Sequence, residues 1–183
     1  TICVVDASGS SALHRLGEAK GAVELLLADC YVRRDLVALV AFRGTTAEVL
    51  LPATRSLARV KRSLAALPGG GGTPLATAID TAAALAGAQK QKGFSPAIVF
   101  LTDGKANIDR GGKAGRKGAM AEAAAAAQEM RALGVSALLI DTSPRRSAEA
   151  EQLASEMGAR YLPLPHADSE ALSRAVMAAR SPS

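Results

Sequence analysis

Aromatic residues and cysteines are scarce in this chain of 183 residues. It has no Trp, three Phe and two Tyr, and its two cysteines are Cys3 and Cys30. Two distant cysteines give neither a zinc pattern nor a disulfide framework, so we expect buried free thiols and a reducing, cytoplasmic compartment. No aromatic residues interleave with the basic ones, which argues against a stacking platform for single-stranded nucleic acid.

Long hydrophobic runs are also missing. The run of Ala at residues 123–127 is bracketed by Glu122, Gln128 and Glu129, so we expect a helix of a water-soluble domain and no membrane span. Hydrophobic residues make up 49% of the chain, which indicates a globular domain with an aliphatic core. We interpret the formal net charge of +5 as suited to an acidic protein partner and not to nucleic acid.

Short apolar runs alternate with helical periodicities along the whole chain. The runs predict strands at residues 2–5, 36–42, 47–51, 96–101, 136–140 and 160–164. The periodicities predict helices at residues 12–32, 56–67, 75–89, 119–133, 148–157 and 169–179. Only a hairpin fits the short link between the second and third strands, so the third is expected to be antiparallel. This order indicates one α/β domain over residues 1–183, with a mostly parallel six-stranded sheet covered on both faces.

Turn residues mark several predicted helix ends. Ser56 is a candidate N-cap for the second helix, and Gly134 and Gly158 are candidates for the residues that end two later helices.

Oxygen-bearing side chains follow three of the predicted elements. Asp6, Ser8 and Ser10 come directly after the first strand, Thr73 follows four glycines, and Asp103 ends the fourth strand. Ligands of open α/β sheets bind at the carboxyl ends of strands. Two carboxylates and three hydroxyls, without His or Cys, suit a hard cation such as Mg²⁺. We therefore predict a Mg²⁺ site that keeps one coordination position open for an incoming carboxylate.

Other interpretations of these residues fit less well. A Walker A loop needs Lys directly before the Ser or Thr, and Gly72 precedes Thr73. A haloacid-dehalogenase-type phosphatase needs a second acidic residue where Ser8 stands, which disfavours Asp6 as a nucleophile. A capped turn without metal would account for Asp6, Ser8 and Ser10 but not for the further oxygen-bearing residues Thr73 and Asp103. We expect the glycines to let the backbone approach the metal and the loop shift.

The loop predicted at residues 105–118 is rich in Gly and in basic residues. It leaves the sheet at Asp103, beside the predicted metal, so we predict that it is mobile in the free domain and forms part of a partner-binding rim. The alternative is a surface loop without a role. Its basic residues are Lys105, Arg110, Lys113, Arg116 and Lys117.

The three oxygen-bearing segments resemble the metal-ion-dependent adhesion site of the von Willebrand factor A or integrin I-like domain family. That site combines a D-x-S-x-S motif, a distant Thr and a more distant Asp, which the chain matches in order. The resemblance implies a Rossmann-like fold of three layers. It also implies that Ser8, Ser10 and Thr73 bind the metal directly, whereas Asp6 and Asp103 bind directly or through water.

Further segments resemble the D-subunit family of magnesium chelatase. They lie at residues 18–26, 31–35, 40–44, 51–57 and 67–75. In that family this domain is the C-terminal part of a subunit, after an ATPase-like module and an acidic, Pro-rich linker that this chain does not contain. The chain therefore looks like a piece of a longer protein.

The second resemblance implies a coupling domain that is not itself catalytic. Its assembly would insert Mg²⁺ into protoporphyrin IX, with ATP, for chlorophyll or bacteriochlorophyll synthesis. The expected partners are the AAA+ I subunit and the porphyrin-binding H subunit, and a partner Asp or Glu would complete the coordination of the metal. The compartment would be the cytoplasm, or the plastid stroma in a phototrophic eukaryote.

Two other functions stay open at this point. The domain would be an enzyme if it delivered Mg²⁺ to the porphyrin, for which a deep apolar pocket is needed, or hydrolysed a phosphate ester, for which a Lys/Arg cage is needed. Alternatively, it would serve a different AAA+-linked or adhesion-type assembly.

Overall fold

A six-stranded sheet lies between two layers of helices. The computed structural model describes residues 1–8, 24, 26–164, 174 and 178. The strands are β1 (Ile2–Asp6), β2 (Val37–Arg43), β3 (Thr46–Thr54), β4 (Ala97–Thr102), β5 (Ser136–Asp141) and β6 (Arg160–Pro163). The helices are α1 (described over residues 26–32), α2 (Leu57–Ala65), α3 (Leu75–Gln91), α4 (Arg116–Ala132) and α5 (Ala148–Met157). Most of the last predicted helix, and residues 12–23 and 25 of the first predicted helix, lie outside the described residues.

The order of the strands creates a switch point between β1 and β4. The sheet runs β3-β2-β1-β4-β5-β6, and among these six strands β3 alone is antiparallel to its neighbour. From β1 the chain moves outwards to β2 and β3 and then returns past β1 to β4. The carboxyl ends of β1 and β4 therefore flank the crevice in which α/β sheets bind ligands. The predicted sheet with one antiparallel edge strand is confirmed.

Alternate residues of the central strands face two separate cores. Ile2 and Val4 of β1 pack with residues of α3, α4 and α5, whereas Cys3 and Val5 pack with residues of α1 and α2. The buried faces of α3 and α4 consist largely of Ala, so these helices lie close to the sheet without large side chains. Aliphatic side chains thus make up most of this core, in a chain with few aromatic residues, and β1 and β4 lie at the centre of the sheet.

Three of the predicted helix ends agree with the structure, and one differs. Gly134 and Gly158 have positive φ angles of 60° and 63° and follow α4 and α5 as predicted, because glycine adopts this conformation without strain. Ser56 is the N-cap residue of α2, as predicted, although its side chain makes no capping hydrogen bond. Helix α4 begins at Arg116 and not at residue 119, because Arg and Lys are good helix formers. The loop predicted to reach residue 118 therefore ends at Gly115.

Both cysteines are buried and form no disulfide bond, as predicted. Burial, reinforced by the neighbouring Cys30, raises the pKa of the Cys3 thiol to about 12. Both groups therefore belong to the packing of the core. Within the described part of the chain, no helix has the length and hydropathy needed to cross a bilayer.

Candidate metal centre

Three of the predicted ligand side chains form one hydrogen-bonded cluster. Asp6 is the last residue of β1, and its Oδ1 accepts hydrogen bonds from the backbone N of Ser8 at 2.9 Å and from Ser8 Oγ at 2.5 Å. Thr73 Oγ1 donates to Ser8 Oγ at 2.7 Å, although the two residues are 65 positions apart. The fold therefore brings Asp6, Ser8 and Thr73 together at the carboxyl end of β1.

Asp103 follows β4 and lies beside this cluster, because the preceding residue, Thr102, donates from Oγ1 to Asp6 Oδ2 at 3.1 Å. Its Oδ1 accepts a hydrogen bond from the backbone N of Lys105 at 3.1 Å, and its Oδ2 lies 3.5 Å from Lys105 Nζ. Ser10 lies outside the described residues, so its role as a ligand stays a prediction.

The surroundings of Asp6 disfavour its negative charge. Burial is the largest cause and raises the pKa of Asp6 to about 6, while hydrogen bonds from Ser8 and Thr102 act in the opposite direction. A divalent cation at this position would favour the ionised carboxylate. The donors are carboxylate and hydroxyl oxygens, the ligand types that Mg²⁺ prefers, so the residues present fit this metal.

Sequence reasoning gave no role to Thr102, which also supports the cluster. This last residue of β4 is fully buried, and its Oγ1 donates to Asp6 Oδ2 at 3.1 Å and accepts from the backbone N of Gly104 at 3.2 Å. The side chain thereby ties the end of β4 to the end of β1. A Thr at the end of a strand has no sequence pattern that predicts a role in a metal site. The only hint in the sequence was its position directly before Asp103.

Asp141, at the end of β5, supports the segment of Asp103 through Ser147. The fully buried carboxylate of Asp141 accepts from the backbone N of Ser147 at 2.8 Å and from Tyr161 Oη at 2.6 Å. Ser147 Oγ donates to the backbone O of Asp103 at 2.9 Å and accepts from the backbone N of Ala150 at 3.2 Å, which caps α5. The start of α5 is thus joined directly to the segment that carries Asp103.

The glycines before Thr73 make close contacts within the protein. A Cβ atom on Gly72 would lie 2.4 Å from Ile108 Cγ1 and 2.6 Å from the backbone O of Gly44, in the turn between β2 and β3. The backbone N of Gly70 donates to the backbone O of Ala7 at 3.0 Å. These contacts give the glycine run a packing role, and the close approach of its backbone to a metal stays a prediction.

Two of the basic residues predicted to bind a partner contact acidic residues on neighbouring helices. Arg110 Nε lies 2.7 Å from Asp80 Oδ2 of α3, and its Nη2 lies 3.2 Å from Glu129 Oε2 of α4. Arg116 Nη2 lies 2.8 Å from Glu149 Oε1 of α5. These pairs link the segment after Asp103 to three helices, and the mobility of this segment in the free domain stays a prediction.

The other basic residues divide between loop and helix. Lys105 contacts Asp103, Lys113 is exposed in the loop, and Lys117 is exposed in the first turn of α4 together with Arg116. The predicted basic rim therefore spans a loop and a helix. Its part in partner binding stays a prediction.

Comparison with known proteins identifies the fold. A family model described as the von Willebrand factor type A domain matches residues 1–105. The chain belongs to the von Willebrand factor type A domain family. The SpRpn10 VWA domain has a TM-score of 0.67 and 13% identity, with coverage of 94% of this chain and 92% of that chain. Three N-terminal domains of the pili tip protein Mfa5 from Porphyromonas gingivalis give a TM-score of 0.75 and 12% identity, with coverage of 93% and 47%.

Sequence similarity to known proteins covers nearly the whole of this von Willebrand A domain. It is 49% identical over 178 residues to the magnesium-chelatase 60 kDa subunit of Cereibacter sphaeroides, covering 97% of this chain and 32% of that protein. It is 42% identical over 186 residues to the 67 kDa subunit of Chlorobaculum tepidum, covering 96% and 30%. The chain thus spans about a third of the length of these two relatives. An uncharacterized protein of Methanocaldococcus jannaschii is 30% identical over 155 residues, covering 82% of this chain and 86% of that protein.

Proposed function

We propose that this von Willebrand A domain recognises a protein partner through Mg²⁺, as part of a D-type subunit of magnesium chelatase. The observation that carries the proposal is the cluster of Asp6, Ser8 and Thr73 at the switch point of the sheet, with Asp103 beside it. The assembly is inferred from the 49% identity to a magnesium-chelatase subunit over 97% of the chain.

The proposed ligand set leaves one coordination position for the partner. Ser8, Ser10 and Thr73 would bind Mg²⁺ directly, and Asp6 and Asp103 would bind it directly or through water. Five protein groups leave one position of an octahedron free. Because three of the five are neutral hydroxyls, the metal would keep enough positive charge to attract an Asp or Glu of the partner.

The proposed partners are the other subunits of the chelatase. The AAA+ I subunit would supply the carboxylate, and the porphyrin-binding H subunit would be reached within the same assembly. Helix α5 offers a route for coupling, because Ser147 at its N-cap donates to the backbone O of Asp103. A shift of α5 on partner binding would therefore move Asp103, which is one of the proposed metal ligands. The Mg²⁺ that the assembly inserts into protoporphyrin IX, in chlorophyll or bacteriochlorophyll synthesis, is a separate ion and its substrate.

A pull-down of the I subunit by this domain tests the proposal. Wild type is expected to capture the I subunit in Mg²⁺ but not in EDTA, whereas Asp6→Ala and the isosteric Asp6→Asn are expected to lose most of this binding. Glu48→Gln is the matched control, because it removes one acidic charge from an exposed position of β3.

Each variant is first checked for native circular dichroism and for cooperative melting. Equal capture of the I subunit by wild type and Asp6→Asn, with or without Mg²⁺, would refute a metal bridge.

A second candidate is metal-dependent recognition in an assembly other than magnesium chelatase. The M. jannaschii relative favours it, since 86% of that uncharacterized protein is matched by this domain, which leaves little length for an ATPase module. Under this candidate the domain would bind an acidic protein segment in Mg²⁺ but would not capture the I subunit.

A further inference from the structure

The geometry points to Asn107 as the residue that positions Thr73 for metal binding and joins it to the segment of Asp103. The inference rests on the proposed function, because it concerns the same Mg²⁺ site. Asn107 lies four residues after Asp103, in the connection between β4 and α4. No sequence pattern singled it out.

Asn107 and its neighbour hold the backbone of Thr73 on both sides. Asn107 Oδ1 accepts a hydrogen bond from the backbone N of Thr73 at 2.7 Å. The backbone O of Thr73 in turn accepts from the backbone N of Asn107 at 3.3 Å and of Ile108 at 3.4 Å. Both backbone polar groups of Thr73, its N–H and its carbonyl, are therefore bound by the segment that begins at Asp103.

This segment is a firm support for Thr73. Ile108 and Ala114 form an isolated antiparallel bridge, and the backbone N of Gly115 donates to the backbone O of Asn107 at 2.8 Å. At the tip, Arg110 contacts Asp80 of α3 and Glu129 of α4 at 2.7 and 3.2 Å. The connection is thus held by hydrogen bonds within itself and by ion pairs to two helices. These contacts keep Asn107 Oδ1 close to the backbone N of Thr73.

The side-chain bond acts on the metal site through the backbone of Thr73. Asn107 holds the Thr73 N–H at 2.7 Å, and from this backbone position Thr73 Oγ1 donates to Ser8 Oγ at 2.7 Å. The side chain of Asn107 is exposed, so its removal costs the core no packing. Losing the acceptor frees the Thr73 N–H and lets the hydroxyl move away from the ligand position. Asn107 is therefore a positioning residue, and it makes the Thr73 and Asp103 segments act as one unit.

Three variants separate positioning from general stability. Asn107→Ala removes the acceptor, Asn107→Asp keeps a carboxyl oxygen at the same place, and Gln91→Ala is a control that removes a side-chain amide from an exposed residue at the end of α3. Mg²⁺ affinity of the purified domain is measured by isothermal titration calorimetry. Exchange of the Thr73 amide hydrogen is measured by NMR without metal.

Asn107→Ala is expected to bind Mg²⁺ about 3- to 10-fold more weakly, as follows from the loss of one hydrogen bond. Its Thr73 amide is expected to exchange at least about 10-fold faster, because a protecting bond is gone. Asn107→Asp is expected to restore slow exchange and wild-type or tighter affinity, and Gln91→Ala to match wild type in both measurements.

Unchanged exchange of the Thr73 amide in Asn107→Ala would overturn the inference, as would an Asn107→Asp variant as impaired as Asn107→Ala. If wild type binds no Mg²⁺, the proposed metal function fails. The amide exchange then still decides, on its own, whether Asn107 positions Thr73.

Discussion

Replacing Gly72 with Ala tests whether the glycine run is required by packing beside Thr73. The added Cβ would lie 2.4 Å from Ile108 Cγ1 and 2.6 Å from the backbone O of Gly44. Both distances are shorter than real carbon contacts. Ile108 can turn its flexible side chain, but the carbonyl of Gly44 belongs to the turn between β2 and β3 and must move with it. The substitution therefore pushes the segment of Thr73 away from the hairpin.

Overpacking of this kind typically costs about 1–3 kcal/mol of unfolding free energy. For a domain of this size each kcal/mol lowers the melting temperature by about 2–4 °C, so Gly72→Ala is expected to melt about 2–12 °C below wild type. It is also expected to bind Mg²⁺ more weakly, because Thr73 is displaced. Differential scanning calorimetry without metal and titration calorimetry with Mg²⁺ measure the two effects separately.

Gly87→Ala is the matched control. Gly87 lies within α3, and a Cβ there has no atom within 4 Å. Because Ala favours a helix interior over Gly by about 1 kcal/mol, this variant is expected to be slightly more stable than wild type. A Gly72→Ala domain that melts at or above the wild-type temperature and binds Mg²⁺ equally well would refute the packing argument.

Two further predictions follow from the buried polar groups. Burial, with the hydrogen bond to Asp141, raises the pKa of Tyr161 to about 12, so unfolding free energy is expected to fall as pH rises from about 10 to 12. Tyr161→Phe should remove this loss, as denaturant titrations at several pH values would reveal, and the same fall in the variant would contradict the assignment. Cys3 and Cys30 are expected to react with a thiol reagent at pH 8 only after unfolding, because both are buried and the pKa of Cys3 is about 12. Rapid labelling of either thiol in the native domain, followed by mass spectrometry, would contradict this burial.

The order of elements was predictable because it rests on local patterns. Apolar runs identified all six strands, and the short link after β2 was enough to predict the antiparallel β3. Ends of elements were harder, since they depend on interactions beyond the local pattern. Arg116 and Lys117 extend α4 before its apolar periodicity begins, and Ser56 occupies a cap position without making the capping bond.

The sequence located the candidate site better than it located the supports of that site. Asp6, Ser8 and Thr73 were predicted to meet, and they do so through hydrogen bonds. Thr102 and Asn107 were missed, because their contacts depend on how distant segments fold back on each other. The ion pairs of the basic residues after Asp103 were not predicted, for a similar reason. Sequence alone does not reveal that acidic groups on α3, α4 and α5 lie opposite them.

The most direct test of the metal bridge is a crystal structure of the complex with the I subunit, grown with Mn²⁺ in place of Mg²⁺. Anomalous scattering then locates the metal without assumptions about its ligands. The account predicts one peak within about 2.5 Å of Ser8 Oγ and Thr73 Oγ1, with a carboxylate of the I subunit as a further ligand. A complex whose interface lies elsewhere on the domain, or that shows no anomalous peak between Asp6 and Asp103, would contradict it.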